Sequence, residues 1–416
     1  MSFVHLINTV SDKLGMSEDQ STINLFNFMD RIGYKSFSLK KLNQLDYAID
    51  LVNILIEFGI LMKVTNYTCL KIGESDNTYF EDVKCKYCNS LIVQDKDSHE
   101  INIYYKYSDK IKGQALFDYL NNKLKEIDMN QYLMKDYIEN FEELKENLSH
   151  VVPLIGSGMS KPFGLPVWSE LLINLEGKVR ENDRDGYLEL VREGDYMEAL
   201  SFLKQHSLLR TDKQVQGEIS RTFKKNLRLN IPKLNHNYFD LLSLEFSNYL
   251  TTNYDNILYT LQLQQKLQGY TPQPILWSEI EDAQNLFLRN KGQLVHLHGM
   301  IHKESSMIVT KESYENLYNN PNYTETFMMF MSNKSLLFIG FSLNDKFFVD
   351  LYRKVISKIG GTHYLIAPNV SFRKAQKFAE DNIKVIGINV KTTADKYLDE
   401  KDFVKSIRSV LKAMKN

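Results

Sequence analysis

An α/β fold is predicted for most of this 416-residue chain: a Rossmann-like parallel sheet with helices on both faces, from about residue 145 to 416. Two observations carry it. Six apolar runs read as strands: HVVPLIG at 150–156, NYLTTNYD at 248–255, QLVHLHG at 293–299, SLLFIGFS at 335–342, HYLIAP at 363–368 and IKVIGINV at 383–390. Helical stretches such as SELLINLEGKVREN (169–182), EDAQNLFLRNK (281–291) and KFFVDLYRKVI (346–356) lie between them. Continuous apolar strands separated by helices indicate a parallel sheet covered on both sides, whereas a half-exposed sheet would alternate.

Residues 1–140 read differently, as an α+β accessory or oligomerisation module. Leu25, Phe28, Met29 and Ile32 recur at helical spacing, Leu39, Leu42 and Leu45 continue it, and Ile49 to Ile60 forms an apolar helix ending at Gly59. The strand pattern LMKVTNYTCLKIG follows, with turn residues after it. Helices followed by a hairpin give the outline of a winged helix. The alternative is a helical module carrying a hairpin. This segment holds 16 basic and 20 acidic residues, net −4, so it lacks the basic excess of a nucleic-acid reader. Direct nucleic-acid binding is therefore not expected, and a protein contact is.

The composition sets outer bounds. The chain is 43% hydrophobic and 25% charged with net charge −1, ordinary for a globular protein with a full core and no steering field. No basic leader and no apolar run of membrane-spanning length is read, so a cytoplasmic, non-membrane location is expected. The three cysteines, Cys69, Cys85 and Cys88, are too few and too odd in number for a disulfide framework. Cys85 and Cys88 form one C-x-x-C knuckle. Zinc needs four ligands, and the spacing of Cys69 and His99 matches no standard finger, so no metal is expected there.

Four segments carry polar groups at the ends of predicted strands, the edge where open α/β sheets bind ligands. The first runs Gly156-Ser157-Gly158-Met159-Ser160, then on to Pro166, Trp168 and a helix opened by Ser169. Glycines let backbone approach a phosphate, and a helix start favours the anion. A bare G-x-G turn is also used by any tight strand–helix connection. The second is Thr251-Thr252-Asn253-Tyr254-Asp255. Asn253 can orient a water or a carboxamide. Asp255 can hold a ribose hydroxyl or simply cap the next helix. In the third, His296 and His298 alternate on one strand face. His298, followed by Gly299, suits a proton acceptor, while His296 and His302 suit packing or surface positions. The fourth, Gly340-Phe341-Ser342, ends another apolar strand.

Together, and in this order, these segments resemble the sirtuin superfamily, and more closely its bacterial NAD-hydrolase branch found in antiphage defence. The resemblance spans about 250 residues. It implies that Gly156, Ser157, Gly158 and Ser160 form the NAD pyrophosphate loop, closed by Pro166 and Trp168. It implies a catalytic pair of Asn253 and His298 supported by Asp255, with Thr252, Gly340 and Ser342 on the cofactor. His236 matches a recurrent position and is read as structural. Ser157 stands where the family more often has Ala. The deacylase branch carries a four-cysteine zinc ribbon in this domain, but no cysteine here lies beyond position 88.

The implied activity is therefore NAD hydrolysis to nicotinamide and ADP-ribose, with NAD as substrate, depleting NAD in antiviral defence. NAD-dependent deacylation or ADP-ribosyl transfer, and a non-catalytic NAD or ADP-ribose sensor, are the alternatives. The resemblance also implies a homo-oligomer and pairing with a HerA-like ATPase. Residues 200–230 read as helical, forming a cap over the pocket.

Overall fold

The computed structural model describes residues 2–42, 45, 47–79, 83–92, 97–265, 271–280, 291–341, 353, 360–394 and 397–415. Contacts divide the chain into two compact units, Met1–Asp128 and Met129–Asn416. The expected helices at 281–291 and 346–356 fall almost wholly outside the described residues, as does Ser342.

The first unit opens with helices Phe3–Leu14, Glu18–Ile32 and Ala48–Glu57. Ser17 caps the second, its hydroxyl accepting from the Gln20 N–H at 3.2 Å, and Glu18 and Asp19 complement the positive end of that helix. The expected Leu25, Phe28, Met29 and Ile32 stripe is buried on its inner face. The expected helix through Leu39 and Leu42 is only a 3₁₀ turn, Leu39–Leu42, while Phe3–Leu14 supplies a helix that the sequence reading did not assign. Strands β1 (Leu61–Cys69), β2 (Glu74–Thr78) and β3 (His99–Tyr107) form an antiparallel sheet of order β2–β1–β3. The α+β composition is thus as expected, with three strands instead of one hairpin.

In the second unit all six expected strands form. They are β4 (Val151–Ile155), β5 (Asn248–Thr251), β7 (Gln293–His296), β8 (Ser335–Ile339), β9 (His363–Pro368) and β10 (Ile383–Ile388). The two-residue β6, Ile275–Leu276, adds an edge. All pair in parallel, in the order β10–β9–β8–β4–β5–β7–β6.

Alternate strand residues feed two separate cores. Val151, Ile155, Leu337, Ile339, Tyr364 and Ile366 join one, with the helices Trp168–Leu175, Tyr196–His206, Asp212–Asn226 and Glu400–Met414. Val152, Leu154, Leu336, Phe338, Leu365 and Ala367 join the other, with Pro321–Met331 and Phe372–Glu380. Successive side chains of a strand point to opposite faces, so two cores on alternating residues place helices on both faces. This is the Rossmann-like α/β arrangement that the apolar runs predict. Among the described residues no helix is long and apolar enough to cross a membrane.

The strand order places the site. After β4 the chain adds β5, β6 and β7 on one side, then returns to add β8, β9 and β10 on the other. The reversal falls at β4. The crevice beyond its carboxyl end, between the loops that leave β5 and β8, is where such sheets bind ligands. Leu250 lies beside this point on β5 and is fully buried. Replacing it with Ala should lower unfolding free energy by about 2–5 kcal/mol, whereas Ile111→Ala, at an exposed position, should change it by less than about 0.5 kcal/mol. Denaturant titration of both variants measures the difference.

Candidate active site

The loop after β4 is two 3₁₀ turns, Ser157–Met159 and Lys161–Phe163, before the helix Trp168–Leu175. That helix starts one residue earlier than expected and stops at Leu175, where 3₁₀ turns at Glu176–Lys178 and Glu181–Asp183 replace the expected continuation. Its Glu170 carboxylate reaches back to accept from the Val167 N–H at 3.2 Å.

This loop is seated on the β8 loop, backbone against backbone. The Gly156 N–H donates to the Ile339 carbonyl at 2.8 Å and the Gly158 N–H to the Gly340 carbonyl at 2.9 Å. A Cβ at Gly156 or Gly158 would come within 2.7 or 2.9 Å of that same Gly340 oxygen. Gly340 has φ +77°, and a Cβ there would meet the Met159 nitrogen at 2.8 Å. The glycines are thus required by close packing. The Gly158 N–H is committed to Gly340, so the loop presents fewer donors to an anion than a free glycine cradle would.

The loop after β5 is bound to the same place. Thr251 Oγ1 donates to the Ile155 carbonyl at 3.0 Å and accepts the Asn253 N–H at 3.0 Å. Asn253 Nδ2 donates to the Gly156 carbonyl at 3.0 Å and to Ser160 Oγ at 3.1 Å. Ser160 Oγ donates to Asp255 Oδ2 at 2.8 Å and lies 2.8 Å from Tyr238 Oη. A hydroxyl has one proton and two lone pairs, so Ser160, donating to Asp255, accepts from both Asn253 and Tyr238 and is saturated. It is buried, and its side chain anchors the loop. Asp255 Oδ1 accepts the Ile257 N–H at 3.0 Å, which is the helix-capping role foreseen as its simpler use. Burial pushes its carboxyl above the usual range, opposed by the Ser160 and Ile257 hydrogen bonds.

His298 stands beyond the end of β7, since the strand stops at His296. The two histidines therefore do not share a strand face as expected. His296 Nδ1 lies 2.9 Å from the Asn253 carbonyl, which makes that nitrogen the protonated one and ties β7 to the Asn253 loop. His298 is enclosed by tyrosines of the helix Lys311–Tyr318. Its Nε2 lies 2.7 Å from Tyr318 Oη and its Nδ1 3.3 Å from Tyr314 Oη. A neutral imidazole offers one donor and one acceptor, so one phenol donates to it and the other accepts from it. Tyr238, Tyr314 and Tyr318 were not anticipated. Nothing in single-sequence spacing separates them from ordinary core tyrosines, although Tyr314 and Tyr318 do sit four apart on one helix face.

A cavity of about 940 Å³ opens over these groups, the size of a small-molecule site. Ser157, Gly158, Pro166, Trp168, Thr252, Asn253, His298 and Gly340 all line it. Ser160 and Asp255 line it as well. Tyr196 and Phe223, from helices Tyr196–His206 and Asp212–Asn226, line it too, and much of the 200–230 segment is helical as expected. Unforeseen contributions come from Tyr397, Asp399 and Phe403 near the C-terminal helix. His236 is buried among Phe163, Tyr238 and Phe239, matching its structural reading.

Two consequences can be measured. Gly340→Ala would place a side chain in a left-handed backbone and against Met159, costing about 1–3 kcal/mol in strain alone; a melting temperature equal to that of the parent would contradict the packing described. Burial also depresses His296 to about 4 and His298 to about 3. With the unfolded value near 6.5, the unfolded chain binds more protons than the folded one between about pH 4 and 6.5. Stability is therefore present above 6.5 and falls with acidification, by roughly 3 kcal/mol for the pair between pH 6.5 and 5. Denaturant unfolding at the two pH values checks this, and His298→Gln should remove about half of that slope.

Residues 247–386 match the family model of the SIR2-like domain. The match takes in Asn253, Asp255, His298 and Gly340 but not the loop Gly156–Trp168, which the hydrogen bonds above join to it. Over 268 residues the chain is 23% identical to the NAD(+) hydrolase ThsA of Cytobacillus dafuensis, covering 61% of this chain and 49% of that protein. The chain thus spans about half the length of this curated relative. A parallel sheet reversing at β4, with polar loops converging where it reverses, thus contains a stretch, residues 247–386, that is similar to a SIR2-like domain.

Proposed function

We propose that this chain hydrolyses NAD, releasing nicotinamide and ADP-ribose. One observation carries the reading most: Asn253 and His298, the pair implied by the family resemblance, face one cavity at the reversal point of a SIR2-like sheet. The similarity to a protein named as an NAD(+) hydrolase supports it. In the reaction the bond between ribose C1′ and the nicotinamide nitrogen breaks, nicotinamide leaves neutral, and water adds to the cationic ribose and loses a proton. The transition state is oxocarbenium-like, as in other glycoside cleavages.

The residues divide as follows in this proposal. Gly156, Ser157, Gly158, Gly340 and Ser342 flank the pyrophosphate, and Pro166, Trp168 and Thr252 confine the rest of the dinucleotide. Ser160 and Asp255 position Asn253, which orients water or the ribose. His298 receives the proton. To act as a base its ring must release one tyrosine hydroxyl, because both nitrogens are engaged. Residues 145–416 form the catalytic domain and 1–140 an accessory module through which self-assembly, or a HerA-like ATPase, regulates it. NAD depletion in antiviral defence is the corresponding biological role.

The engaged state of His298 favours one second reading, a sensor that binds NAD or ADP-ribose without turnover. Assays of nicotinamide release separate the two. His298→Gln should lower kcat by about 10²–10⁴-fold, the usual contribution of a positioned proton acceptor. Asn253→Ala should lose activity as well, with circular dichroism checking that the fold persists. Full activity in both variants would sink the hydrolase mechanism, and calorimetric NAD binding without turnover in the parent would establish the sensor. Incubation with an acyl-lysine peptide and NAD, read by mass spectrometry, should show no deacylation.

A further inference from the structure

We infer that the first unit binds one zinc ion through Cys69, Cys85, Cys88 and His99. The C-x-x-C pair supplies two ligands, and strand pairing brings to it Cys69 and His99, whose spacing matches no standard finger. Cys69 is the last residue of β1 and His99 the first of β3, and they are direct partners in the antiparallel register. The turn holding Cys85 and Cys88 lies between β2 and β3 in sequence and folds back onto that pair. One ligand atom from each of the four residues lies within 4.8 Å of every other. Cys88 Sγ is 3.3 Å from His99 Nε2. A tetrahedral zinc ion with Zn–S of about 2.3 Å holds neighbouring sulfurs about 3.8 Å apart, so the four side chains need only small adjustments to close on it.

Local backbone is shaped for the purpose. The Asn89 N–H donates to the Cys85 carbonyl and the Cys85 N–H to the Ser90 carbonyl, both at 2.8 Å, with Asn89 in the left-handed region at φ +62°. The Tyr87 N–H points at Cys85 Sγ at 3.4 Å, a donor that stabilises a thiolate. Lys86 pairs with Asp76 at 2.7 Å and Tyr87 Oη donates to the Ser75 carbonyl at 3.3 Å, fastening the knuckle to β2. Cys69, Cys85 and His99 are buried and Cys88 is half-buried.

Among the described residues, the apolar cluster at this end of the sheet has as buried members Tyr67, Cys69, Cys85 and Ile92, and two of these are the proposed ligands. It is separate from the main core of the unit. Four protein ligands also close the coordination sphere, so the ion's role is structural, with no open position for chemistry.

Metal analysis of the full chain, purified without chelators, tests this. The expected result is one zinc ion per chain, reduced to background in the Cys85→Ser/Cys88→Ser variant. Those substitutions could unfold the unit, so a second measurement uses the parent chain. Exchange with cobalt should give sulfur-to-metal charge-transfer bands and the intense visible bands of tetrahedral cobalt. Substoichiometric zinc with no such bands would overturn the site, as would an intact mass two daltons light from a disulfide between two of the three cysteines.

Discussion

Backbone meets backbone where the loop after β4 rests on the loop after β8, and this contact governs the arrangement of the site. Gly156, Gly158 and Gly340 lie so close that a single added methyl group on any of them would strike main-chain atoms of the opposing loop. Two N–H groups of the first loop end on carbonyls of the second. Such a contact cannot flex by side-chain rotation. It therefore fixes the distance between two strand ends from opposite sides of the sheet reversal, and the Asn253 amide then fastens a third strand end to the Gly156 carbonyl. Rigid elements holding a site to within fractions of an ångström are what oriented bond cleavage requires.

Enclosure of His298 has an electrostatic consequence. A histidine in water would be partly charged at neutral pH, but this ring is buried against the hydroxyls of Tyr314 and Tyr318. Burial penalises the imidazolium, so the ring stays neutral and acts by hydrogen bonding. The two tyrosines also fix its orientation, since the phenols bind opposite nitrogens. In the proposed reaction, this ring gains strength as a base when a ligand brings charge of the opposite sign or displaces a phenol, which would link nucleotide binding to base strength.

Much of the second unit was legible because its strands are buried on both faces. Continuous apolar runs such as VVPLI and SLLFI are what central parallel strands require, and their glycine and polar endings mark the ligand edge. Helix bounds were less legible, and local reasons exist. The regular helix that begins at Trp168 passes at Glu176 into a 3₁₀ turn, and beyond the strand that ends at His296 the chain turns at Gly299, with φ +87°. The tyrosines around His298 lie 16 and 20 residues further along the chain, and tertiary packing alone brings them there. The cysteine cluster was missed for a related reason. Ligand spacing along the chain gives no sign that β1 and β3 pair with Cys69 opposite His99.

The hydrogen-bond saturation of Ser160 changes how the motif should be understood. Read as a string, G-S-G-x-S offers two hydroxyls to a phosphate. Read as a structure, both serines line the cavity, but the Ser160 hydroxyl is spent on holding Asp255, Asn253 and Tyr238 together. The two serines therefore answer to different constraints. Ala in place of Ser157 keeps every contact described between the loops, which is consistent with Ala being common at that position in the resembling family. Ala in place of Ser160 takes one of the donors from the buried Asp255 carboxyl and one of the two acceptors from the buried Asn253 amide. An unsatisfied buried polar group costs about 1–3 kcal/mol, more for a charge, so the inner serine is constrained by the fold before any ligand arrives. In the proposed reaction the ligand-facing side chains are Ser157 on this loop and Thr252 on the loop after β5, and the inner network keeps them in place.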